Sequence, residues 1–345
     1  MKPTTIALLI VFAACFDAPI SAATIYNVTA LAGNGSDAYG INSSGHVTGV
    51  YNNGTANHAL YWTSNGGIID LGTVNAGGDS VGRDISDTDN VVGQAGGFAF
   101  RWTPGGGFVQ LDTHASDARG INSSNTIFGT ETFGGAHSER WDSSNNKTAL
   151  FASTSSQGYA IDNSGATVGR TTIGGGYYSD GSSNSSFTTN FGTTFLPDDI
   201  NNIAQIAGVQ SGLSELYDTS NSTFSLIGKL GSDISSEPFG INDLTQIVGE
   251  STASGGSTRG YIWDTTLGIR DLNTELASGF QDWTILSAND INNNGQIVGL
   301  GQLGGQQFAV LLTPVPEPSA APLAALGVCG VIGAAIRRAR LAATR

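Results

Sequence analysis

A short motif organises this chain, and at residues 39–49 it reads Tyr39-Gly40-Ile41-Asn42-Ser43-Ser44-Gly45-His46-Val47-Thr48-Gly49. Its isoleucine serves as an anchor that occurs seven times, at intervals of 36 to 50 residues that average about 42: Ile41, Ile85, Ile121, Ile161, Ile200, Ile241 and Ile291. A glycine stands eight residues after every anchor: Gly49, Gly93, Gly129, Gly169, Gly208, Gly249 and Gly299. Self-similarity at a period of 20–50 residues is typical of solenoids and propellers. The body is therefore predicted to be an array of seven repeats.

Each anchor begins what we interpret as a β-hairpin. The next residue is Asn, Asp or Ser in every repeat, and these side chains start turns by bonding backbone groups two residues on. Four residues after the anchor, five of the seven repeats carry Gly, Asn or Asp, which tolerate a left-handed backbone. An apolar pair such as Val91-Val92 then forms the returning strand. The repeated glycine indicates either a bulge or backbones crowded around a central axis.

Two further strands complete each repeat. The segment His58-Ala59-Leu60-Tyr61-Trp62 and the later segment Ile68-Ile69-Asp70-Leu71-Gly72 both have counterparts in other repeats. Four short strands per repeat are typical of propeller blades. The tryptophans of the third strand are expected in the core between blades: Trp62, Trp102, Trp141 and Trp263.

The two ends of the repeat array complement each other. Residues 26–33 match the last strand of a repeat, and the seventh repeat, which ends at residues 308–313, lacks that strand. An edge strand left unpaired is a liability, so pairing the two ends would hide both edges. We predict an all-β, seven-bladed β-propeller over residues 24–313, closed by its N-terminal strand. An open solenoid is the alternative.

Both ends of the chain resemble targeting signals. Met1-Lys2, an apolar stretch and Ser21-Ala22-Ala23 predict a secretory signal peptide over residues 1–23, and a lipoprotein signal at Cys15 is the alternative. The tail, residues 314–345, contains an apolar segment at 320–336 that reaches the lower limit for a membrane span. An arginine cluster follows the segment and marks its cytoplasmic side.

The tail resembles the PEP-CTERM sorting signal of exported bacterial proteins. The motif residues are Pro316, Glu317, Pro318, Arg337, Arg338 and Arg340. The resemblance implies transient insertion in the inner membrane, processing by an exosortase-type protease, and a cell-surface or extracellular location afterwards. A permanent membrane anchor is the alternative.

The repeats resemble the HAF repeat of bacterial extracellular proteins over residues 25–313. Gly40-Ile41-Asn42, His58-Ala59-Leu60, Trp62 and residues 70–73 match best, although Leu60 replaces the Phe of the signature and most repeats lack its His. The fourth repeat has no recognisable tryptophan strand. The resemblance implies architecture and export rather than a particular activity.

Composition limits the possible functions. The chain has 345 residues, 12% of them charged, and a net charge of −14, with no Lys/Arg cluster in the repeat body. This argues against nucleic acid as a partner. Both cysteines, Cys15 and Cys329, lie in the terminal segments, which leaves the body without disulfides, thiolate nucleophiles or cysteine zinc ligands.

The sequence offers little for catalysis. Its four histidines lie far apart, and we expect no catalytic, cofactor-binding or metal-binding residues. The pair Asp198-Asp199 is interpreted as solvated turn residues, with carboxylates at the channel mouth as the alternative. The acidic run 84–90 lacks the spacing of an EF-hand loop and is interpreted as a hairpin turn.

Three aromatic residues fall outside the repeat pattern: Tyr177, Tyr178 and Trp283. They are the candidates for a ligand surface, because divergent loops often carry recognition. The sequence favours a non-catalytic surface or matrix protein that binds a polysaccharide, such as an exopolysaccharide, or a protein through one propeller face. A secreted propeller enzyme acting on extracellular polysaccharide is the alternative.

Overall fold

The fold is a ring of seven antiparallel sheets. The computed structural model describes residues 24–73, 78–151, 154–172, 174–184, 186–192 and 194–315. Within them are 28 strands, arranged as seven four-stranded blades, and one 3-10 helix at Leu272–Thr274. The second strand of each blade packs against the first strand of the next, all the way round. The predicted seven-bladed β-propeller is confirmed.

The first four blades follow one another along the chain. Blade 1 comprises β2 (Asp37–Ile41), β3 (Val47–Asn52), β4 (Asn57–Thr63) and β5 (Gly67–Gly72). Blade 2 comprises β6 (Ser80–Ile85), β7 (Val91–Ala95), β8 (Phe98–Thr103) and β9 (Gly107–Gln110). Blade 3 comprises β10 (Ser116–Ile121), β11 (Ile127–Glu131), β12 (His137–Trp141) and β13 (Lys147–Leu150). Blade 4 comprises β14 (Ser156–Ile161), β15 (Thr167–Thr171), β16 (Gly176–Ser179) and β17 (Thr189–Gly192).

The last three blades include the junction of the two chain ends. Blade 5 comprises β18 (Phe195–Ile200), β19 (Gln205–Gln210), β20 (Leu213–Asp218) and β21 (Thr223–Gly228). Blade 6 comprises β22 (Ser235–Ile241), β23 (Ile247–Thr252), β24 (Thr258–Asp264) and β25 (Gly268–Asp271). Blade 7 comprises β26 (Trp283–Ile291), β27 (Ile297–Leu303), β28 (Gln306–Pro314) and β1 (Tyr26–Ala30).

The N-terminal strand closes the ring, as predicted. Strand β1 pairs antiparallel with β28, from Tyr26 opposite Pro314 to Ala30 opposite Val310. The far edge of β1 is partly covered too, because the Tyr26 N–H donates to the Glu275 carbonyl (2.8 Å) and the Ala277 N–H donates to the Tyr26 carbonyl (2.8 Å). These bonds cover the Tyr26 end of that edge.

The hydrophobic core is divided into seven clusters, one at each interface between blades, and each cluster contains one anchor isoleucine. The four repeated tryptophans belong to or pack against these clusters, as predicted. Since every cluster joins two blades, the burial that stabilises one blade also fixes its neighbour.

The hairpin turns after the anchors follow the predicted chemistry. In blade 1 the Asn42 side-chain oxygen accepts hydrogen bonds from the backbone N–H groups of Ser44 (3.1 Å) and His46 (3.0 Å). The residue four after the anchor has a positive φ in all seven blades, including Ala204 (57°) and Thr245 (58°), whose side chains disfavour it. Turn geometry thus overrides residue preference in two blades.

The repeated glycines face a bulge inside their own blade. A Cβ atom on any of the seven would lie 2.0–2.5 Å from a carbonyl oxygen of the neighbouring first strand, such as that of Asp37 opposite Gly49. Each first strand carries a register shift just beyond this point. Of the two alternatives that the sequence left open, the structure therefore supports the bulge, with crowding between paired strands of one blade.

Several sequence predictions concern residues outside the described ranges. These are the signal peptide at 1–23, the sorting motif, and the apolar segment at 320–336. Within the described residues, no helix has the length and hydropathy to span a membrane.

Candidate functional site: the central channel

The bulge in each first strand determines which side chain faces the central channel. The pairing with the second strand skips the residue two before each anchor. All seven skipped residues line a cavity of about 150 Å³ on the channel axis: Tyr39, Arg83, Arg119, Tyr159, Asp198, Phe239 and Asn289. These residues share no common type, although their neighbours in the strand repeat. The channel is therefore lined by a position of the motif, two residues before the anchor, whose residue type differs among the repeats.

Three arginines from blades 2, 3 and 4 form a positively charged arc on one side of the channel. The guanidinium carbons of Arg119 and Arg170 each lie 4.7 Å from the ring centre of Tyr159, so the ring is placed between two cations. Arg83 lies farther round, with its guanidinium carbon 6.0 Å from the ring centre of Tyr39. Cation–π contacts of this kind hold the rings and the guanidinium groups in fixed positions.

Two of these arginines keep hydrogen-bonding capacity. Asp117 lies between them, 3.5 Å from the Arg83 Nε and 3.2 Å from the Arg119 Nε. About a third of each arginine side chain is exposed, 36% for Arg83 and 34% for Arg119. Among the described residues, no acceptor bonds the terminal nitrogens of either side chain. A guanidinium group with free terminal N–H groups can bind a carboxylate through two parallel hydrogen bonds.

The opposite side of the channel is acidic. Arg170 donates a hydrogen bond to Asp198 and also lies 3.9 Å from Glu237. Burial raises the pKa of Asp198 to about 8, against the lowering effect of Arg170, and Glu237 raises it further. Burial also raises the pKa of Asp37 to about 6, and Asn289 donates a hydrogen bond to this carboxyl (3.0 Å). The channel thus offers cationic donors on blades 2–4 and acidic acceptors on blades 5, 6 and 1.

Three other aspartates join adjacent blades at the channel wall. Asp84, Asp199 and Asp290 each accept a hydrogen bond from the N–H of their own anchor (2.7–2.8 Å) and another from the anchor of the next blade (2.8–2.9 Å). Burial raises the pKa of Asp84 to about 7 and that of Asp290 to about 6, and the mutual repulsion of the carboxylates adds to the effect at Asp84. Because both oxygens of each carboxylate bond backbone N–H groups, these aspartates connect blades rather than face a ligand.

The hairpin turns after the anchors surround the other end of the channel. There the residue after the anchor donates its side-chain amide to a carbonyl of the next blade, as Asn42 does to Ser86 (3.0 Å) and Asn292 does to Asn42 (2.9 Å). Asn122, Asn201 and Asn242 make the same bond. Asp162, being a carboxylate, has no amide donor to make it. This end is therefore a structural ring, and the arginine end is the candidate for recognition.

The structure removes two of the three predicted ligand-surface residues from the surface. Tyr177 is completely buried, and its hydroxyl bonds Ser138 (2.8 Å). Tyr178 is 8% exposed and packs into the next interface. The prediction was wrong for this pair because the two tyrosines form part of strand β16, so they point to opposite faces of blade 4. Trp283 is half-buried against Phe308 and the last inter-blade cluster.

The structure contradicts the turn interpretation of Asp198-Asp199 and confirms that of the acidic run 84–90. Asp198 and Asp199 are not solvated turn residues; they lie in β18, where one faces Arg170 and the other joins two blades. The run 84–90 does contain the predicted turn, with Asp89 at a φ of 63°. The Asp89 carboxylate accepts a hydrogen bond from Asn42 (2.8 Å) and contacts the His46 ring (2.7 Å).

Apart from Asp198, the channel residues escaped sequence analysis although a signal was present. Two residues before every anchor, the chain carries Tyr, Arg, Arg, Tyr, Asp, Phe and Asn in turn. A position that varies within an otherwise regular motif is a candidate for function, since repeated positions serve the common fold. Only the bulge shows that this position faces the axis.

Clefts extend the site outward from the channel. Tyr39 and Arg83 also line a cleft of about 540 Å³ between blades 1 and 2. Arg119 lines another of about 270 Å³ beside Asp117, and Arg170 lines a third of about 170 Å³ beside Glu237. We call the surface that joins these clefts to the channel the arginine face. Its largest cleft has the volume of typical small-ligand sites.

Comparison with known proteins supports the fold alone. No protein-family profile and no curated protein sequence matches this chain. A virginiamycin B lyase from Staphylococcus aureus matches with a TM-score of 0.59 and 13% identity, over 85% of this chain and 100% of that one. An oligogalacturonate lyase from Vibrio parahaemolyticus matches with a TM-score of 0.56 and 10% identity, over 84% and 94%. The WD40 propeller domain of Doa1 matches with a TM-score of 0.51 and 12% identity, over 86% and 98%. Enzymes and a WD40 propeller therefore share this architecture. The fold alone does not distinguish a non-catalytic binding protein from an enzyme.

Proposed function

We propose that this protein is an exported, non-catalytic β-propeller that binds an acidic polysaccharide through its arginine face. The observation that carries the proposal is the arc of three arginines, with Arg119 and Arg170 against Tyr159 and Arg83 beside Tyr39. These are three of the nine Lys and Arg residues between residues 24 and 313. In a chain of net charge −14, this concentration of cations at one channel end favours an anionic ligand.

The chemistry of the face suits a uronic acid-type saccharide. The free terminal nitrogens of Arg83 and Arg119 would hold sugar carboxylates in paired hydrogen bonds. Tyr39 and Tyr159 offer rings against which sugar faces stack. The Asp37 carboxylate would accept hydrogen bonds from sugar hydroxyls, and the Asp198 carboxyl group, kept protonated at neutral pH by its raised pKa, would donate one. A polymer is favoured over a monosaccharide because three clefts continue the channel outward.

Export remains part of the same proposal. The resemblance of residues 1–23 to a signal peptide and of residues 314–345 to a PEP-CTERM tail supports secretion, followed by exosortase processing at the inner membrane and release to the cell surface or matrix. Intact-mass measurement of the exported protein tests this. A C-terminus near Glu317 is expected, and a membrane-bound species that still ends at Arg345 would contradict it.

The ligand is tested by titrating polygalacturonate or alginate oligosaccharides into purified protein, with neutral dextran oligosaccharides as the comparison. We expect binding of the acidic oligosaccharides alone, weakening as salt increases because the contacts are electrostatic. Arg83→Gln and Arg119→Gln should each weaken binding by about tenfold, in line with about 1.5 kcal/mol for a lost charged hydrogen bond.

Lys229→Gln is the matched control, because it removes the same charge from the β21–β22 connection, away from the channel. If Lys229→Gln weakens binding as much as Arg119→Gln does, the binding reflects net charge and the proposed site is rejected. Equal affinity for neutral dextran would reject the acidic specificity.

A polysaccharide-degrading enzyme is the second candidate, because Asp198 is a buried acid with a pKa near 8 beside Arg170. Groups that titrate near neutral pH can exchange protons with a substrate. The non-catalytic proposal predicts that incubation leaves the polymer length unchanged. Shortening of the polymer by the wild type, abolished in Asp198→Asn, would instead establish the enzyme.

A further inference from the structure

A second cluster of ionisable side chains lies in blade 3, away from the channel-lining positions. Asp112 and His114 belong to the connection between β9 and β10, Glu131 ends β11, Glu139 lies in β12, and Lys147 begins β13. Asp112, Glu131 and Glu139 are all buried, at 6%, 8% and 2% exposure. Three buried carboxyl groups and one ammonium group leave this cluster short of positive charge.

Three of these side chains have donor atoms at metal-binding distances. Ligand atoms of Asp112, His114 and Glu131 all lie within 4.8 Å of one another. The His114 Nδ1 is 2.7 Å from the Glu131 Oε1 and 3.5 Å from the Asp112 Oδ1. A tetrahedral zinc ion with bonds of about 2.1 Å spaces its ligands about 3.4 Å apart, so small side-chain movements would complete the site.

Lys147 orients the two carboxylates. Its Nζ lies 2.8 Å from the Asp112 Oδ2 and 2.9 Å from the Glu131 Oε2. One oxygen of each carboxylate is thereby held by the ammonium group, while the other oxygen faces His114. Outer groups that fix ligand orientation in this way are a common feature of metal sites.

Glu139 supplies an independent observation. It stands opposite Gly129, at the position that Leu60, Phe100 and Tyr261 occupy in other blades. No described residue offers its Oε2 a hydrogen bond, although the side chain is almost completely buried.

The surroundings of Glu139 direct it toward the same cluster. Its carboxyl group is within hydrogen-bonding distance of that of Glu131, and Lys147 and Asp112 are its other charged neighbours. Two carboxyl groups in contact require a shared proton or a cation. Glu139 therefore adds a carboxyl group to the cluster, with one oxygen that no described residue bonds.

We propose that blade 3 binds one divalent transition-metal ion of the zinc type through Asp112, His114 and Glu131, with Glu139 as the fourth ligand and Lys147 as a positioning residue. Mixed imidazole and carboxylate donors suit zinc better than calcium, which takes six to eight oxygen ligands. The ion would link the loop between β9 and β10 to strands β11 and β12.

The test uses purified protein stripped with a chelator and then equilibrated with Zn²⁺. We expect one zinc per chain after gel filtration, measured by elemental analysis, and a rise of several degrees in the thermal midpoint. Glu139→Gln and His114→Ala should each lower zinc affinity by at least tenfold. Glutamine keeps the shape of Glu139, and His114 lies on a half-exposed connection, so both variants are expected to fold.

His58→Ala is the matched control, because His58 also contacts an aspartate, Asp70 (2.8 Å), but outside any group of three potential ligands among the described residues. It should bind zinc like the wild type. Three results would each overturn the proposal: no zinc retained by the wild type, the same loss of zinc in His58→Ala as in His114→Ala, or an equal thermal shift with Ca²⁺.

Discussion

The carboxylate of Asp290 in blade 7 accepts a hydrogen bond from the backbone N–H of Ile41 in blade 1, at 2.9 Å. The two residues are 249 positions apart, and the bond crosses the interface between the last and the first blade. The other Asp290 oxygen bonds its own anchor, Ile291, at 2.7 Å. Asp84 and Asp199 make the same pair of bonds at two other interfaces. Ring closure therefore combines strand pairing on the outside with carboxylate bridges at the axis.

Asp290→Ala should lower the free energy of unfolding by about 2 kcal/mol or more, because it leaves two enclosed N–H groups without an acceptor. Urea unfolding at pH 5 measures the change. Asp87→Ala is the control, since the exposed Asp87 accepts a single interblade bond, from the Ser43 N–H. A cost for Asp290→Ala no greater than that of the control would mean that the bridges add nothing to closure.

Stability should fall as the pH rises from about 4 to 7. In the folded state the pKa of Asp290 is about 6 and that of Asp84 about 7, against 3.8 for an ordinary aspartate. The folded protein therefore holds protons that the unfolded chain has already released, and it loses this advantage as the pH passes these values. For Asp290 alone the loss is on the order of 3 kcal/mol. Thermal midpoints across this pH range measure it, and Asp290→Asn should flatten the slope; a midpoint that rises with pH would contradict the assignment.

Gly49→Ala should destabilise the protein by about 3 kcal/mol or more, at the upper end of overpacking costs. The added Cβ would lie 2.1 Å from the Asp37 carbonyl oxygen and 2.8 Å from the Ala38 Cα, and backbone atoms cannot move aside cheaply. Gly33→Ala provides the comparison, since no heavy atom lies within 4 Å of a Cβ placed there. Chemical denaturation of both variants checks the difference, and similar stabilities would show that the bulge can relax.

Ala204→Gly should stabilise the protein by about 0.5–1 kcal/mol. Ala204 has a φ of 57°, and relief of the left-handed strain outweighs the extra chain entropy that glycine brings to the unfolded state. The equivalent Gly165→Ala in blade 4, where φ is 89°, should change stability in the opposite direction. If both substitutions had the same sign, turn strain would not be the cause.

Deleting residues 25–31 should cost several kcal/mol, because Tyr26, Val28 and Leu31 are all at least 94% buried. A charge on the same strand gives a matched pair: Val28→Asp places it in the core, whereas Thr29→Asp places it at an exposed position. Thermal midpoints that differ between these two variants support the closed ring, and a deletion as stable as the parent would favour an open array.

Most of the fold could be predicted from the residues that recur in every repeat. The anchors, the turn residues and the glycine at the eighth position are local features that recur in every blade, so one linear pattern predicts all seven hairpins. The phase of residues 26–33 against the seventh repeat was enough to predict closure. Local spacing reports these features because strand pairing within a blade joins residues close in sequence.

The candidate sites depended on contacts that no local pattern encodes. A one-residue bulge reverses which side chains face the axis, so the position of Tyr159 and Asp198 in the channel follows from backbone pairing rather than from residue type. Strand alternation in β16 placed Tyr177 and Tyr178 in the core, where sequence had suggested a surface. Closure of the ring brings Arg83, Arg119 and Arg170 to one side of a common axis, and the packing of blade 3 brings Glu139 against Glu131. Their chemistry is decided by distance and burial, which only the assembled ring sets.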